Sequence, residues 1–81
     1  MPQPSLPGLI DYLARQIVDQ PDKVTVTEVD LSDQTVIELE VDPQDLGKVI
    51  GKGGRTIKAM RALLQAASVK TRRRTVLEII D

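Results

Sequence analysis

The chain has 81 residues, carries a net charge of −1 and contains no cysteine, no histidine and one aromatic residue. This length provides one small domain, and the missing residue types exclude disulfides, zinc fingers, thiol nucleophiles, serine–histidine catalysis and imidazole metal sites. A nucleic-acid surface built on aromatic stacking is nearly excluded as well. We therefore expect neither a metal nor a cofactor.

The first predicted element is an amphipathic helix over residues 6–19. Ser5 suits its N-cap, and Pro21 ends it because the residue before a proline avoids the helical region. The whole chain, residues 1–81, reads as one domain, with residues 1–5 as its short N-terminal tail. The apolar residues recur at spacings of three and four, which places one stripe on a helix. The members of this stripe are Leu6, Leu9, Ile10, Leu13 and Ile17.

A β-hairpin is predicted next. Residues 24–31 read as a strand whose apolar phase slips by one position between Val26 and Val29, which predicts a bulge or a strong twist. A short polar turn separates it from a second strand over residues 35–41, so the pair should be antiparallel. Acidic residues alternate with apolar ones on the second strand. This alternation indicates that only one face of the sheet is covered.

The C-terminal half predicts two helices and a last strand. Asp42 and Pro43 suit the cap and first position of a short helix. A glycine loop, a long helix, a basic loop and a strand follow over residues 51–54, 55–67, 68–74 and 75–80. The strand–helix–helix–strand path is a crossover, so the last strand should run parallel to the strand that contains Ile37. The order is α-β-β-α-α-β, an α+β fold with a three-stranded mixed sheet and helices on one face.

The long helix should turn one apolar side towards the sheet. At helical spacing its inward residues are expected to be Ile57, Met60, Leu64 and Ala67.

The net charge conceals a division between the two halves. Residues 1–45 hold two basic and ten acidic residues, a net charge of −8, whereas residues 46–81 hold nine basic and two acidic residues, a net charge of +7. Such asymmetry indicates a polyanionic partner for the basic half. The alternative is a solvated basic face beside a solvated acidic one.

The glycine loop at residues 51–54 is the most informative segment. Three glycines in four residues cost backbone entropy, so the chain needs a tight turn there or something approaches its backbone closely. The N–H groups at the start of the following helix form an anion site. The basic residues around it are Lys48, Lys52, Arg55 and Lys58.

Two other glycine motifs do not match this loop. A nucleotide P-loop needs Gly-Lys-Ser/Thr after a strand, but here Lys52 is followed by Gly53 and the loop lies between helices. The dinucleotide motif needs a glycine where Thr56 stands. A helix–helix turn with incidental lysines remains the alternative.

Ile50-Gly51-Lys52-Gly53-Gly54 followed by Ile57 resembles the I-G-x-x-G-x-x-I core of the KH family of RNA-binding domains. The element order resembles the type II, prokaryotic KH fold over essentially the whole chain. Within that family, the chain is similar to the small stand-alone bacterial proteins of the KhpA group.

The resemblance implies that the glycine loop clamps the backbone of about four single-stranded nucleotides. The bases would lie in an apolar groove near Val49, Ile50 and Ile57. Residues 68–74 would be the variable loop and extend the phosphate contacts, although a solvated charge run is the alternative there. The implied RNA-binding residues are Lys48, Val49, Ile50, Gly51, Lys52, Gly53, Gly54, Arg55, Ile57, Lys58, Lys70, Arg72, Arg73 and Arg74.

The expected function is that of an RNA chaperone or post-transcriptional regulator. One KH domain reads few bases, so a homodimer, or a heterodimer with another KH-domain protein, would raise affinity through effective concentration. The acidic first helix and hairpin are candidate surfaces for a protein partner. The alternative is a KH scaffold that mainly dimerises or holds a protein and binds RNA weakly. The residues do not distinguish RNA from single-stranded DNA.

No enzymatic activity and no small-molecule substrate are expected. Asp42 and Asp45 lie one turn apart, but helix capping explains both. No residue set combines a nucleophile with an activating base. No apolar run reaches about 18 residues, and the first five residues lack the features of a secretory signal. We therefore expect a cytoplasmic protein that does not bind membranes.

Overall fold

The computed structural model describes residues 5–71 and 73–80 and confirms the predicted α+β fold. In chain order the helices and strands are α1 (Leu6–Ile17), β1 (Thr25–Asp30), β2 (Gln34–Glu40), α2 (Leu46–Ile50), α3 (Arg55–Ser68) and β3 (Arg74–Ile80). Short 3₁₀ turns occupy Pro21–Lys23, Pro43–Asp45, Lys52–Gly54 and Val69–Thr71. Ser5 caps α1 as predicted, because its Oγ accepts the Gly8 N–H at 3.1 Å.

The sheet has the order β1-β2-β3, with β1 antiparallel and β3 parallel to β2, as the hairpin and the crossover predict. Of the two alternatives expected for β1, a bulge or a strong twist, the bulge is wrong. Val26 pairs with Leu39 and Val29 with Val36 in one unbroken register. The two valines of β1 therefore lie on opposite faces, each half-buried. An edge strand can place one valine under the helices and the other against a neighbour on the uncovered side.

The core lies between the sheet and the helices. Ile10 and Ala14 of α1, Ile37 and Leu39 of β2, and Leu64 of α3 have no exposed surface. Full burial of each large aliphatic side chain contributes about 1.5–3 kcal/mol. Within the described ranges, no helix is both long and apolar enough to cross a bilayer.

Two helix faces are rotated slightly from their predicted positions. In α1 the helix ends at Ile17, which is 36% exposed, and Val18 and Ala14 take the buried positions instead. The reason is that Val18 is already extended at the C-cap, where its N–H bonds to the carbonyl of Ala14. In α3, Ser68 and not Ala67 faces the core, and its hydroxyl donates to the carbonyl of Gln65 at 3.1 Å.

Asp42 and Asp45 have different roles. Asp42 caps the turn before α2 as predicted, since its Oδ1 accepts the Gln44 N–H at 2.8 Å. Asp45 occupies the N-cap position of α2, but the prediction that its side chain caps the helix is wrong. Its side chain is 2% exposed and accepts the backbone N–H of Gln20 at 3.0 Å. Asp45 therefore joins the start of α2 to the connection between α1 and β1.

We predict that Asp45→Ala lowers the free energy of unfolding by about 1–3 kcal/mol, because it leaves the partly buried N–H of Gln20 without its acceptor. Asp42→Ala is the matched control and should lower it by about 1 kcal/mol, the usual value of a cap. Urea unfolding followed by circular dichroism measures both. A loss for Asp45→Ala no larger than that of the control would contradict the assignment.

Candidate nucleic-acid interface

A single tight turn forms the loop between α2 and α3. Gly51, Gly53 and Gly54 have φ angles of 79°, 66° and 78°, all in the region that favours glycine. The Gly51 N–H bonds to the carbonyl of Gly47 at 2.8 Å, and the Gly54 N–H bonds to the carbonyl of Gly51 at 3.0 Å. Four residues connect α2 to α3, which begins directly at Arg55.

The glycines of this loop serve two different purposes. A Cβ on Gly51 would lie 2.7 Å from the Cβ and 2.8 Å from the backbone nitrogen of Thr56, so no side chain fits there. A Cβ on Gly53 would meet nothing within 4 Å. Gly51 is therefore required for packing. Gly53 is required only for its backbone angle and leaves the outer surface of the loop open to a ligand.

Three cations surround the open side of the loop. Lys52, Arg55 and Lys58 are exposed, and none of them forms an ion pair within residues 5–71 and 73–80. The stem of Lys58 passes the loop, since its Cε lies 4.0 Å from the position of a Cβ on Gly54. The positive end of the α3 dipole points at the same region. An anion at this surface meets backbone N–H groups and side-chain charges together.

Lys48 is arranged differently. Its Nζ donates to Oδ2 of Asp19 in an ion pair that joins α2 to the end of the α1 region. The hydrogen bond that Lys48 donates to Asp19 is the main cause that raises the pKa of Lys48 above its ordinary value. Asp19 therefore partly neutralises a cation that the sequence assigns to RNA, and the ion pair supports the Asp45 bond in holding α2.

The apolar residues beside the loop divide into support and surface. Val49 has no exposed area and Ile57 is 6% exposed, so both belong to the core and hold the loop from below. Ile50 is 38% exposed and offers apolar surface beside Gly51. Of the three residues assigned to the base groove, Ile50 is the one with substantial accessible area.

The basic loop after α3 lies at the far end of the helix from the glycine turn. With 14 residues, α3 separates the two by about 21 Å. Arg73 holds this loop against the hairpin turn, because its Nη2 donates to the carbonyls of Leu31 at 2.6 Å and Gln34 at 2.8 Å, and its Nε donates to Thr35 Oγ1 at 3.0 Å. Arg74 is exposed. The Arg72 assignment and the side chain of Lys70 lie outside the described residues.

Arg61 and Gln65, two residues that sequence reasoning missed, lie on α3 between the glycine turn and the basic loop. Gln65 Nε2 donates to the carbonyl of Thr75 at 2.7 Å, and Arg61 Nη2 donates to that of Leu77 at 3.4 Å. Both carbonyls belong to β3, an edge strand of the sheet. Lys58, Arg61 and Gln65 share one side of α3 by their spacing, so they form a polar path along the strand edge. The sequence shows the helical spacing of these three residues, but it does not show that this side of α3 lies beside β3.

We predict that Gly51→Ala lowers the free energy of unfolding by about 3 kcal/mol, because it adds a steric clash to an unfavourable backbone angle. Gly53→Ala is the matched control, with the angle penalty of about 1 kcal/mol and no clash. Thermal and urea unfolding of the two variants measure the difference. Equal losses would show that Thr56 moves aside without cost.

Comparison with known proteins places this geometry in a family. The family model described as "KhpA/KhpB, KH domain" matches residues 8–79. The RNA-binding protein KhpA of Halalkalibacterium halodurans is 51% identical over 73 residues, which cover 90% of this chain and 96% of that protein. The RNA-binding protein KhpA of Aquifex aeolicus is 47% identical over 77 residues, covering 95% and 98% respectively.

A crystal structure of Aquifex aeolicus Era bound to GDP and AlF4⁻ shares the fold, with a TM-score of 0.61 at 17% sequence identity. The similarity covers 91% of this chain and 29% of the Era chain. At this identity the likeness concerns the fold alone. The family match and the high identity to two relatives over nearly their whole length decide the assignment: the chain belongs to the KhpA/KhpB family of KH domains.

Proposed function

We propose that this protein binds short single-stranded RNA by holding the RNA backbone against residues 51–54. The observation that carries the proposal is the open outer surface at Gly53, where nothing lies within 4 Å of a Cβ position, surrounded by Lys52, Arg55 and Lys58. The names of its relatives, RNA-binding protein KhpA, support it.

The proposed contact uses backbone and charge together. A phosphate group accepts hydrogen bonds from N–H groups at the start of α3, and the three cations neutralise it. The RNA strand then follows the polar path of Lys58, Arg61 and Gln65 towards the variable loop. Ile50 supplies apolar surface to a base near the glycine loop. Lys48 contributes less than Lys52, since Asp19 competes with the phosphate for its charge.

We infer that the protein has a binding role and not a catalytic one. It acts in the cytoplasm, where it holds transcripts and releases them. One domain offers contacts to few nucleotides, so its complexes should exchange readily. Modest affinity suits an RNA chaperone or a post-transcriptional regulator, which must leave its target after acting. In this proposal one domain covers the whole chain. It acts on no small-molecule substrate.

We predict that RNA affinity falls with rising salt and that Lys52→Gln reduces the log–log salt slope by about 0.7, the value of one phosphate contact on a single strand. Lys23→Gln is the matched control, an exposed lysine in the Pro21–Lys23 turn of the acidic half, and should leave the slope unchanged. Fluorescence anisotropy of a labelled RNA over a salt series provides the measurement.

Gly53→Asp completes this experiment, because it places a carboxylate where the RNA backbone should approach most closely. Its affinity for RNA should fall well below that of the parent while the fold remains. The proposal fails if the parent binds no RNA, or if binding ignores salt and both changes in the loop. A competition with single-stranded DNA of the same sequence then decides whether the 2′-hydroxyl contributes.

A second candidate function is dimerisation or the holding of a protein partner such as another KH-domain protein. The observation that favours it is the outer side of α3. Leu63 is 50% exposed, and the alanines around it are exposed as well, so another surface could approach the helix closely. These alanines are Ala59, Ala62, Ala66 and Ala67. This side differs from the acidic helix and hairpin that the sequence suggested.

We predict that Leu63→Asp abolishes concentration-dependent self-association in sedimentation experiments, because it places a charge within an apolar contact. Tyr12→Asp, on the exposed side of α1, is the matched control and should leave self-association unchanged. If dimerisation were the main role, Leu63→Asp would remove the partners captured in cells after nuclease treatment, and Lys52→Gln would keep them. Association unaffected by Leu63→Asp would exclude this surface.

A further inference from the structure

The side of the sheet turned away from the helices forms a distinct surface, here called the open face. It follows from the alternation of side chains along each strand and from the register of the three strands. Within the described residues, no helix packs on it. Its residues are Thr25, Thr27, Val29, Gln34, Val36, Glu38, Glu40, Arg74, Val76, Glu78 and Ile80.

An apolar row crosses the open face from edge to edge. Val29 pairs with Val36, and Val36 pairs with Val76, so one valine from each strand lies in line. Val36 is 8% exposed and the outer two are half-buried. Val36 is therefore nearly covered, and the accessible aliphatic surface of the row lies at Val29 and Val76 on either side of it.

A group of carboxylates lies directly beside this row. Glu38 and Glu78 are register partners on neighbouring strands, about 4.8 Å apart at the backbone. Glu40 is two residues further along β2 on the same face. In the described part of the chain, none of the three forms an ion pair. Like charges opposite one another on a sheet are destabilising, so the isolated domain keeps an arrangement that costs it stability.

An apolar notch lies at the end of the same surface. A cavity of about 100 Å³ is lined by Val41, Pro43, Leu46 and Ile80, with Glu40 at its side. Ile80, which pairs with Glu40 across the sheet, is 38% exposed. The notch is of a size to take one aliphatic side chain, next to a carboxylate that can pair with a cation.

We propose that the open face binds a basic, aliphatic segment of a protein partner. Lysine or arginine side chains of that segment would neutralise Glu38, Glu40 and Glu78, while its aliphatic side chains cover the valine row and fill the notch. Charge complementarity selects this occupant. RNA is repelled by three carboxylates, and two open faces placed together would set glutamates against glutamates.

Apart from Arg74, which lies on the open face and is among the residues assigned to RNA, this surface is separate from the proposed RNA contact. The glycine loop and the α3 path lie on the helical side of the sheet, and the open face lies on the other side. Both partners can therefore be bound at the same time, which would let the protein hold a basic protein segment beside an RNA strand. Failure of either contact leaves the other intact.

The test uses the full chain and a synthetic peptide of alternating lysine and valine, with its ends blocked. Amide resonances of Val29, Val36 and Val76 should shift saturably as the peptide is added. Glu38→Gln combined with Glu78→Gln should weaken peptide binding at least tenfold. The thermal midpoint of this double variant should not fall, because a repulsion has been removed, and its RNA affinity should stay within twofold.

Two controls distinguish binding at the open face from nonspecific attraction of a cationic peptide to an acidic protein. Glu28→Gln removes an exposed carboxylate from the other face of β1 and should leave peptide binding unchanged. A peptide with serine in place of valine should bind much more weakly. The proposal is overturned if the peptide causes no shifts, if Glu28→Gln weakens binding as strongly, or if the serine peptide binds equally well. Self-association that the double variant abolishes would also overturn it, since the occupant would then be a second copy.

Discussion

The contact between Gly51 and Thr56 is the constraint on which the functional end of this domain depends. The backbone of α2 must end so close to the start of α3 that a Cβ on Gly51 would lie 2.8 Å from the nitrogen of Thr56. This approach fixes the direction in which the chain leaves α2. The turn then closes through two more residues of positive φ, Gly53 and Gly54. The outer surface at Gly53 stays open because the tight packing is confined to the inner side.

The short helix α2 could not hold this geometry by itself. It has five residues, too few for an independent helix. Its start is fixed by Asp45, which accepts the N–H of Gln20, its middle by the ion pair between Lys48 and Asp19, and its inner side by buried Val49. The acidic half of the chain therefore has a structural role at the basic site. It positions the helix that carries the loop, and it reduces the charge of one lysine there.

The sequence predicted the element order, the strand directions and the position of the glycine loop, because turn residues and hydrophobic spacing encode these locally. It failed where a long-range contact decides. Asp45 looks like a cap but bonds to a residue 25 positions earlier. The guanidinium of Arg73 is engaged by the hairpin turn, and the faces of Arg61 and Gln65 depend on which strand lies beside α3. The carboxylates of the open face became neighbours only through the register of β2 and β3.

The central claim is that the loop backbone itself contacts RNA. Titration of the ¹⁵N-labelled protein with a short single-stranded RNA, followed by amide chemical shifts, tests this most directly. The account predicts that the largest saturable shifts occur at Gly53, Gly54 and Arg55, that smaller ones follow along α3, and that the open face is silent. Shifts confined to the open face, Arg74 included, with the loop amides unmoved, would contradict it.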